Sequence, residues 1–189
     1  VTAFYSLASV ETKLMVGWLL ENIRGGQPRD LRYALSRILF APAVQSYYDI
    51  AIIDCPPRLS TAAVNAICAS THLLIPSVPD GGSMEAVPNF TEMASSLTAG
   101  LNPSLRLAGI IPTLSVSKAL NTQELEFLAE ARQDAHHFGG EPYIFNRNIP
   151  HTAEISKVAG KSIAYLKAKP QIRTLFAELG AEVAQRIGL

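Results

Sequence analysis

The chain has little cysteine and no long apolar run, and each shortage excludes a class of protein. Only two cysteines occur in 189 residues, Cys55 and Cys68, and their spacing fits neither a disulfide framework nor a zinc site. No run of 18 or more apolar residues is present, and no basic segment leads into an apolar one as in a secretory signal. We therefore expect a cytoplasmic protein whose cysteines are reduced and which does not associate with the membrane. We expect Cys55 to serve packing, because no base lies near it in sequence.

Charge is balanced overall but unevenly distributed. The chain carries 16 basic and 16 acidic residues, and its 48% hydrophobic content is enough for one sizeable core, so we expect residues 1–189 to form a single domain. Residues 147–189 contain 7 basic and 3 acidic residues, against 9 and 13 in residues 1–146. This basic tail indicates either a solvated face or a surface that contacts phosphates.

Candidate strands alternate with candidate helices, which predicts an α/β fold with a doubly wound, mostly parallel sheet flanked by helices. The predicted strands are Val1–Leu7, Ile50–Asp54, His72–Val78, Leu105–Thr113 and Pro142–Asn146. The predicted helices are Thr12–Ile23, a helix from Asp30 (as N-cap) past Phe40, Thr61–Ala69, Met84–Leu97, Thr122–Ala135 and Gln171–Ile187. In Thr122–Ala135 we expect Leu125, Leu128 and Ala129 to face inward and Glu124, Glu126 and Glu130 to face solvent. The last helix should pack on the core through Ile172, Leu175, Phe176, Leu179, Val183 and Ile187.

The segment YDIAIIDCPP, residues 48–57, is an apolar strand pattern that ends in Asp54 and two prolines. The carboxyl edge of a parallel sheet is where α/β proteins bind ligands. In P-loop NTPases an aspartate at this point holds Mg²⁺, and prolines would stiffen the loop that follows. The alternative is a core strand closed by an ordinary turn, since short motifs match by chance.

Residues 48–67 together resemble the ParA/MinD-type partition ATPases, in which the corresponding run is YDxxIIDCPPxLxxxxxNAL. The resemblance extends over most of the chain and keeps the family's order. Its further segments are Ala8–Leu14, Leu73–Asp80 (the family's vLIPvxPe), Leu107–Thr113 (ilGvllT), and Ile149–Pro150 with Gly160–Ile163 (IPR…GKSI).

The resemblance implies roles for individual residues. Asp54 would be the catalytic and metal-binding residue, orienting a water on Mg²⁺, and Pro56 and Pro57 would form the switch loop. Pro76, Pro79 and Asp80 would lie near the nucleotide and the dimer interface, although prolines also simply end strands. Thr113, Ile149 and Pro150 would line the adenine pocket. His151 stands where the family usually has arginine.

The family's phosphate-binding loop, KGGxGKT, is absent from these 189 residues. Gly160-Lys161-Ser162 is similar in composition, but no apolar strand leads into it, as a P-loop requires. We therefore expect the C-terminal portion of a longer ATPase, beginning near its third strand. The complete protein would use ATP and Mg²⁺, whereas this chain alone would bind neither and would not hydrolyse ATP.

The implied activity is that of a ParA-like ATPase of plasmid or chromosome partitioning. Such a protein would dimerise when it binds ATP and would interact with a centromere-binding-type partner protein. It would also bind DNA without sequence preference, through Arg147, Lys157, Lys161, Lys167 and Lys169. Two alternatives remain: a non-enzymatic scaffold on the same fold, and a MinD-like or polysaccharide-export ATPase. The final helix argues against membrane binding, because Arg173 and Arg186 are offset by Glu178 and Glu182.

Overall fold

The computed structural model describes residues 4–27, 29–55, 60–117, 119–153 and 169–189. The chain divides into two compact units, residues 1–71 with 101–103, and residues 72–100 with 104–189. The elements, in chain order, are α1 (Phe4–Ile23), a 3₁₀ helix (Leu31–Tyr33), α2 (Ala34–Leu39), α3 (Pro42–Gln45), α4 (Thr61–Ala69), β1 (His72–Ser77), α5 (Gly81–Leu101), β2 (Arg106–Ser115), α6 (Thr122–Asp134), β3 (Ile149–Pro150) and α7 (Pro170–Ile187).

The first unit is helical and is organised around α4. Ser60 caps this helix by accepting a hydrogen bond from the Ala63 amide at 3.3 Å. The Glu11 carboxylate, from α1, accepts the Ala62 amide at 2.7 Å. The buried Asn65 side chain accepts the Leu35 amide of α2 at 3.1 Å. These bonds satisfy backbone donors that a helix start leaves unpaired, and so they tie α1 and α2 to α4.

The second unit contains a parallel sheet in the order β1-β2-β3. Ile75 pairs with Ile110 in register, and both side chains pack on one face with Met84 of α5 and Leu128 of α6. On the other face, residues of β2, of the 143–149 segment and of α7 form a second cluster whose buried members are Ile111, Phe145 and Leu179. Consecutive strand residues point to opposite faces, so this sheet is covered by helices on both sides. The predicted α/β fold class is confirmed.

Gly109 allows the segment at residues 143–145 to lie directly against β2. The Ile110 amide donates to the Tyr143 carbonyl at 2.8 Å, and the Phe145 amide donates to the Ile110 carbonyl at 3.0 Å. A Cβ on Gly109 would collide with the Tyr143 carbonyl oxygen and would lie 3.0 Å from Cε2 of Phe145. Gly109 also has a φ of +152°, which side-chain-bearing residues rarely adopt.

Two predicted strands are wrong. Residues 4–7 of the predicted strand Val1–Leu7 belong to α1, and Ile50–Asp54 forms no strand; the side chain of Ile52 is 93% exposed. A strand requires a neighbour to bond its amides and carbonyls, and no described residue of the first unit lies in a strand. A helix satisfies its amides and carbonyls through hydrogen bonds within the helix, as α1 does.

Two further predictions are corrected in detail. In the predicted strand Pro142–Asn146 only Ile144 makes a bridge, parallel to Ile110. The helix predicted from Asp30 past Phe40 is split into the 3₁₀ helix, α2 and α3, with Pro42 beginning α3 because proline has no amide to continue a helix. Asp30 is a cap as predicted, accepting the Arg32 amide at 2.9 Å.

The remaining helices lie where the pattern predicts them, and α4 has the predicted bounds. In α6, however, only Leu128 of the expected apolar set is buried; Leu125 is 52% exposed and Ala129 is exposed. Glu124, expected in solvent, is buried because its carboxylate accepts two backbone amides. In α7, Ile172 and Leu179 are buried and the other four predicted apolar contacts are half-buried.

Among the described helices, none combines the length and apolar character needed to cross a bilayer.

Candidate nucleotide-binding edge

Six of the predicted site residues lie at the carboxyl edge of the sheet in the second unit. Pro76 is in β1 and exposed, and Pro79 and Asp80 follow that strand. Thr113, Ile149 and Pro150 are at the ends of the neighbouring strands β2 and β3. Because all three strands are parallel, their carboxyl ends meet at one edge, where ligands bind in such sheets.

The three residues predicted for the adenine pocket are brought together by strand pairing. Thr113 is opposite Ile149, and Ser115 is opposite Pro150. The amide of His151 donates to the Ser115 carbonyl at 2.9 Å, which extends the pairing one residue further. Thr113 and Ile149 are half-buried and Pro150 is buried, so together they form a largely apolar surface at the end of the sheet.

Asp80 links the end of β1 to the start of α5. Its carboxylate accepts the Ser83 amide at 2.7 Å, and its own amide donates to the Val78 carbonyl at 2.8 Å. The preceding Pro79 is buried. Asp80 therefore caps a helix start, which satisfies an otherwise unpaired donor, and its carboxylate is exposed at the same edge.

Asp54 lies in the first unit and is exposed on a segment without regular structure. Pro56 and Pro57, the predicted switch loop, lie outside the described residues. Within the described part of the chain, no group of three or more potential metal ligands occurs. One exposed carboxylate fits the role predicted for Asp54, because protein-bound Mg²⁺ commonly takes one or two carboxylates and fills its shell with water and phosphate oxygens.

Cys55, beside Asp54, is exposed, contrary to the expectation that it serves packing. The predicted strand that directly precedes it, Ile50–Asp54, does not form. Desolvation by the surrounding chain, and secondarily the Asp54 charge, raise the pKa of the Cys55 thiol above its ordinary value. A raised pKa leaves less thiolate, so Cys55 has none of the activation that a nucleophilic cysteine requires.

Of the five predicted DNA-binding residues, the structure describes Arg147 and Lys169; Lys157, Lys161 and Lys167 lie outside the described residues. Arg147 is exposed and pairs with Glu178 at 3.3 Å. Lys169 is exposed at the start of α7. The charge of Arg147 is therefore partly offset by an acidic neighbour.

The end of β2 and the start of α6 contain residues that the sequence pattern did not identify as site residues. Leu114 has a φ of +54°, a left-handed conformation that is uncommon for leucine, and its side chain is 55% exposed. Glu124 of α6 accepts the amides of Val116 and Asn121, both at 2.8 Å. The Asn121-x-x-Glu124 spacing is that of a capping box, and this signal would have identified Glu124 in the sequence.

A second carboxylate, Glu182 of α7, holds the segment that leads to β3. It accepts the Tyr143 hydroxyl at 2.7 Å, the Asn146 amide at 2.7 Å and the Arg147 amide at 3.1 Å. Burial by itself would raise the pKa of Glu182, but these donors and the Asn146 side chain outweigh it and hold the pKa below its ordinary value. The hydrogen bond to Glu182 in turn raises the pKa of Tyr143.

Comparison with known proteins identifies relatives of this chain. The family profile described as "AAA domain" matches residues 7–107, just over half of the chain. The chromosome-partitioning ATPase Soj of Thermus thermophilus is 29% identical over 164 residues, which cover 86% of this chain and 60% of that protein. The Soj protein of Treponema pallidum is 26% identical and covers 99% of this chain and 70% of its own length.

Solved structures share the fold. The apo form of McdA from Cyanthece superposes with a TM-score of 0.64 at 18% identity, over 81% of this chain and 59% of that one. Cobyrinic acid a,c-diamide synthase from Mycobacterium smegmatis, with ADP and magnesium bound, gives a TM-score of 0.60 at 26% identity, over 78% and 52% of the two chains. The chain thus spans about 60% of the length of the first of these relatives. From the matching profile, the Soj relatives and the parallel sheet, we conclude that the chain belongs to the ParA/MinD-type partition ATPase family.

Proposed function

We propose that this chain is part of a ParA-like ATPase that acts in chromosome or plasmid partitioning in the cytoplasm. In this proposal the carboxyl edge of its sheet binds the nucleotide. The observation that carries the proposal is the carboxyl edge of the sheet, where Thr113 and Pro150 lie near the ends of β2 and β3 and Asp80 follows the end of β1. Relatives that the chain matches over most of its length are chromosome-partitioning ATPases.

In this proposal each predicted site residue has the role that the family resemblance implies. Thr113, Ile149 and Pro150 contact the adenine base, and Pro76, Pro79 and Asp80 lie near the phosphates and the dimer interface. Asp54 holds Mg²⁺ through water. Bound Mg²⁺ would neutralise charge that develops on the transferring phosphoryl group. The family resemblance supports these assignments, together with the apolar character of the paired β2 and β3 ends.

The partners proposed are a second copy of the same protein, duplex DNA and a centromere-binding-type protein. ATP would join two copies, and the joined form would present basic residues to DNA phosphates. Phosphate contacts supply affinity without reading base sequence. The excess of basic residues in the C-terminal 43 residues, 147–189, supports this step.

Asp54 provides the test of the enzymatic proposal. In a polypeptide that carries this chain behind a KGGxGKT loop, Asp54→Ala should lower Mg²⁺-dependent ATP hydrolysis by about 100-fold, as expected when one group that stabilises a transition state is removed. The fold should be retained, because Asp54 is exposed. Asp49→Ala removes another exposed carboxylate of the same segment and should leave the rate unchanged.

The 189-residue chain without that loop should show no saturable ATP binding by calorimetry, because backbone amides of the loop cradle the phosphates. Micromolar ATP binding by this chain would refute the requirement for the loop. If the longer polypeptide also failed to bind and hydrolyse ATP, the protein would be a scaffold on the same fold, and the enzymatic proposal would be wrong.

A further inference from the structure

The segment Ala8–Leu14 lies in α1 and is one of the segments that resemble the partition ATPases. Its only carboxylate, Glu11, accepts the Ala62 amide through Oε1 at 2.7 Å, across a separation of 51 residues in the chain. Glu11 is half-buried, so this hydrogen bond is electrostatically stronger than it would be in water. The contact therefore joins two separate segments of the family resemblance, Ala8–Leu14 and residues 48–67.

The first turn of α4 is held at two further points. The Ala63 amide donates to the Ser60 hydroxyl at 3.3 Å. The buried Asn65 side chain donates to the Thr61 carbonyl at 3.0 Å and accepts the Leu35 amide of α2. The first amides of a helix have no partner within the helix, and here side chains supply the acceptors. The start of α4 is thereby attached to both α1 and α2.

A glutamate is well suited to the position that Glu11 occupies. The start of a helix carries partial positive charge, which favours a carboxylate there. A hydrogen bond to an ionised acceptor is also stronger than one between neutral groups. The bond from Ala62 to Glu11 is 2.7 Å long, against 3.3 Å for the bond from Ala63 to Ser60. Glu11 is therefore the stronger of these two side-chain caps on α4.

The first turn of α4 follows the Asp54 motif closely in the chain. Asp54 and Ser60, the N-cap of α4, belong to the same unit and are joined by the short segment 55–59. The reach of a polypeptide is limited to about 3.3–3.6 Å per residue. Displacement of the first turn of α4 would therefore change the range of positions open to the Asp54 carboxylate.

We propose that Glu11 is a positioning residue for Mg²⁺-dependent catalysis, because it fixes the first turn of α4 and thereby limits where the Asp54 carboxylate can lie. This role rests on the proposed ATPase function. Glu11 acts through Asp54 and touches neither the nucleotide nor the metal. A misplacement of about 1 Å at a reacting group can lower a rate about 100-fold, so a hydrogen bond outside the metal site can affect catalysis.

Amide hydrogen exchange of the 189-residue chain tests whether Glu11 holds α4. Glu11→Ala should increase exchange of the Ala62 amide by about tenfold, because this amide loses its acceptor. Glu11→Gln keeps an oxygen that can accept the bond and should restore most of the protection. Glu21→Ala removes an exposed carboxylate of the same helix and is the matched control. If Glu11→Ala does not fold, Glu11→Asp replaces it, since its carboxylate is one methylene shorter and falls short of the amide.

ATP hydrolysis by the polypeptide that carries this chain behind a KGGxGKT loop tests the link to Asp54. Glu11→Ala should lower kcat by about tenfold and change KM for ATP by less than about twofold, because the metal-positioning group is displaced and nucleotide binding is not. Glu11→Gln should restore most of the rate, and Glu21→Ala should leave it unchanged. In the Asp54→Ala variant, Glu11→Ala should have little further effect, because both changes act on one group.

The outcomes separate this inference from the proposed function. Unchanged exchange of the Ala62 amide in Glu11→Ala would overturn the inference. An equal loss of rate from Glu11→Ala with and without the Asp54 carboxylate would also overturn it, while hydrolysis by the wild type would still support the proposed function. If the wild-type longer polypeptide did not hydrolyse ATP, the proposed function and the catalytic role of Glu11 would both be wrong.

Discussion

At the scale of single residues, Gly109 lies where another backbone segment approaches β2 closely. The carbonyl of Tyr143 lies over its α-carbon, and this contact lets residues 143–145 bond to β2. Segment 143–145 leads directly to Asn148 and β3, so the absence of one methyl group determines where the predicted base-binding residues lie. Glycine in a strand often marks such an approach.

Gly109→Ala should therefore lower the free energy of unfolding by about 2 kcal/mol or more, because the added Cβ overpacks the strand and the backbone is strained. Urea unfolding followed by circular dichroism measures the change. Gly180→Ala is the control: its Cβ meets nothing within 4 Å in the middle of α7. That change should raise stability by about 0.5–1 kcal/mol. Equal effects of the two substitutions on the free energy of unfolding would show that the close approach of the Tyr143 carbonyl does not require glycine at position 109.

At the scale of secondary-structure elements, α7 is joined to the sheet by polar bonds as well as by its apolar face. The Glu182 carboxylate accepts hydrogen bonds from the Tyr143 hydroxyl and from the Asn146 and Arg147 amides. The Arg186 guanidinium donates to the Ala108 carbonyl at 3.0 Å. The guanidinium of Arg186 also lies 5.1 Å from the centre of the Tyr143 ring, a cation–π distance. The helix thus fixes the segment that carries β3, and the predicted core-packing role is only part of its contribution.

Glu182→Gln should lower the free energy of unfolding at neutral pH by about 1–2 kcal/mol, because an amide NH₂ replaces one oxygen that accepts hydrogen bonds. The folded-state pKa of Glu182 is lowered. Its contribution to stability is therefore present above the pKa of the unfolded state and is lost as the pH falls through the folded-state value. The stability difference between wild type and variant should shrink as the pH falls through the folded-state pKa.

Chemical denaturation at a series of pH values measures this difference. Glu178→Gln is the matched control on the same helix, since Glu178 forms an exposed ion pair with Arg147, and such pairs contribute about 0–1 kcal/mol. A difference for Glu182→Gln that stayed constant across the acid range would mean that the carboxylate charge contributes nothing to the attachment of α7.

At the scale of the whole molecule, the uneven charge is the feature that bears on partners. The C-terminal 43 residues carry an excess of four positive charges and the preceding 146 an equal negative excess. Of the basic residues, Arg147 is paired with Glu178 and lies beside Glu182. A substitution at Arg147 would also disturb these contacts, so Arg147 is not a suitable position for testing DNA contact.

In the nucleotide-bound longer polypeptide, Lys157→Glu with Lys161→Glu should weaken binding to duplex DNA of every sequence alike. Removing one lysine–phosphate ion pair should reduce the slope of log K against log salt by about 0.9, because one fewer counterion is released from the DNA. Fluorescence anisotropy across a salt series measures both quantities. Lys13→Glu, at an exposed position of α1, is a control that reverses one lysine, half the charge change of the double variant. Unaltered affinity and slope in the double variant would identify the basic tail as a solvated face.

Local sequence determined those helices and strands whose positions are set by residues within the segment or directly beside it. Thr61–Ala69 has the predicted bounds because Ser60 caps it, and His72–Ser77 and β2 follow from β-favouring apolar runs. The family motifs also located Thr113, Ile149 and Pro150, and parallel pairing brings these three together. Such features depend on spacing and residue type, which are readable without coordinates.

Tertiary structure alone decided the rest. Ile50–Asp54 has the composition of a buried strand, yet no described strand pairs with it and Ile52 is exposed, because strand formation requires a partner that composition cannot supply. Glu124 was expected in solvent and is buried. Its bond to the Asn121 amide belongs to a capping box encoded in the sequence, but its bond to the Val116 amide depends on the path of the turn after β2. Propensity acts within a segment, whereas burial and hydrogen-bond partners depend on what the folded chain places next to it.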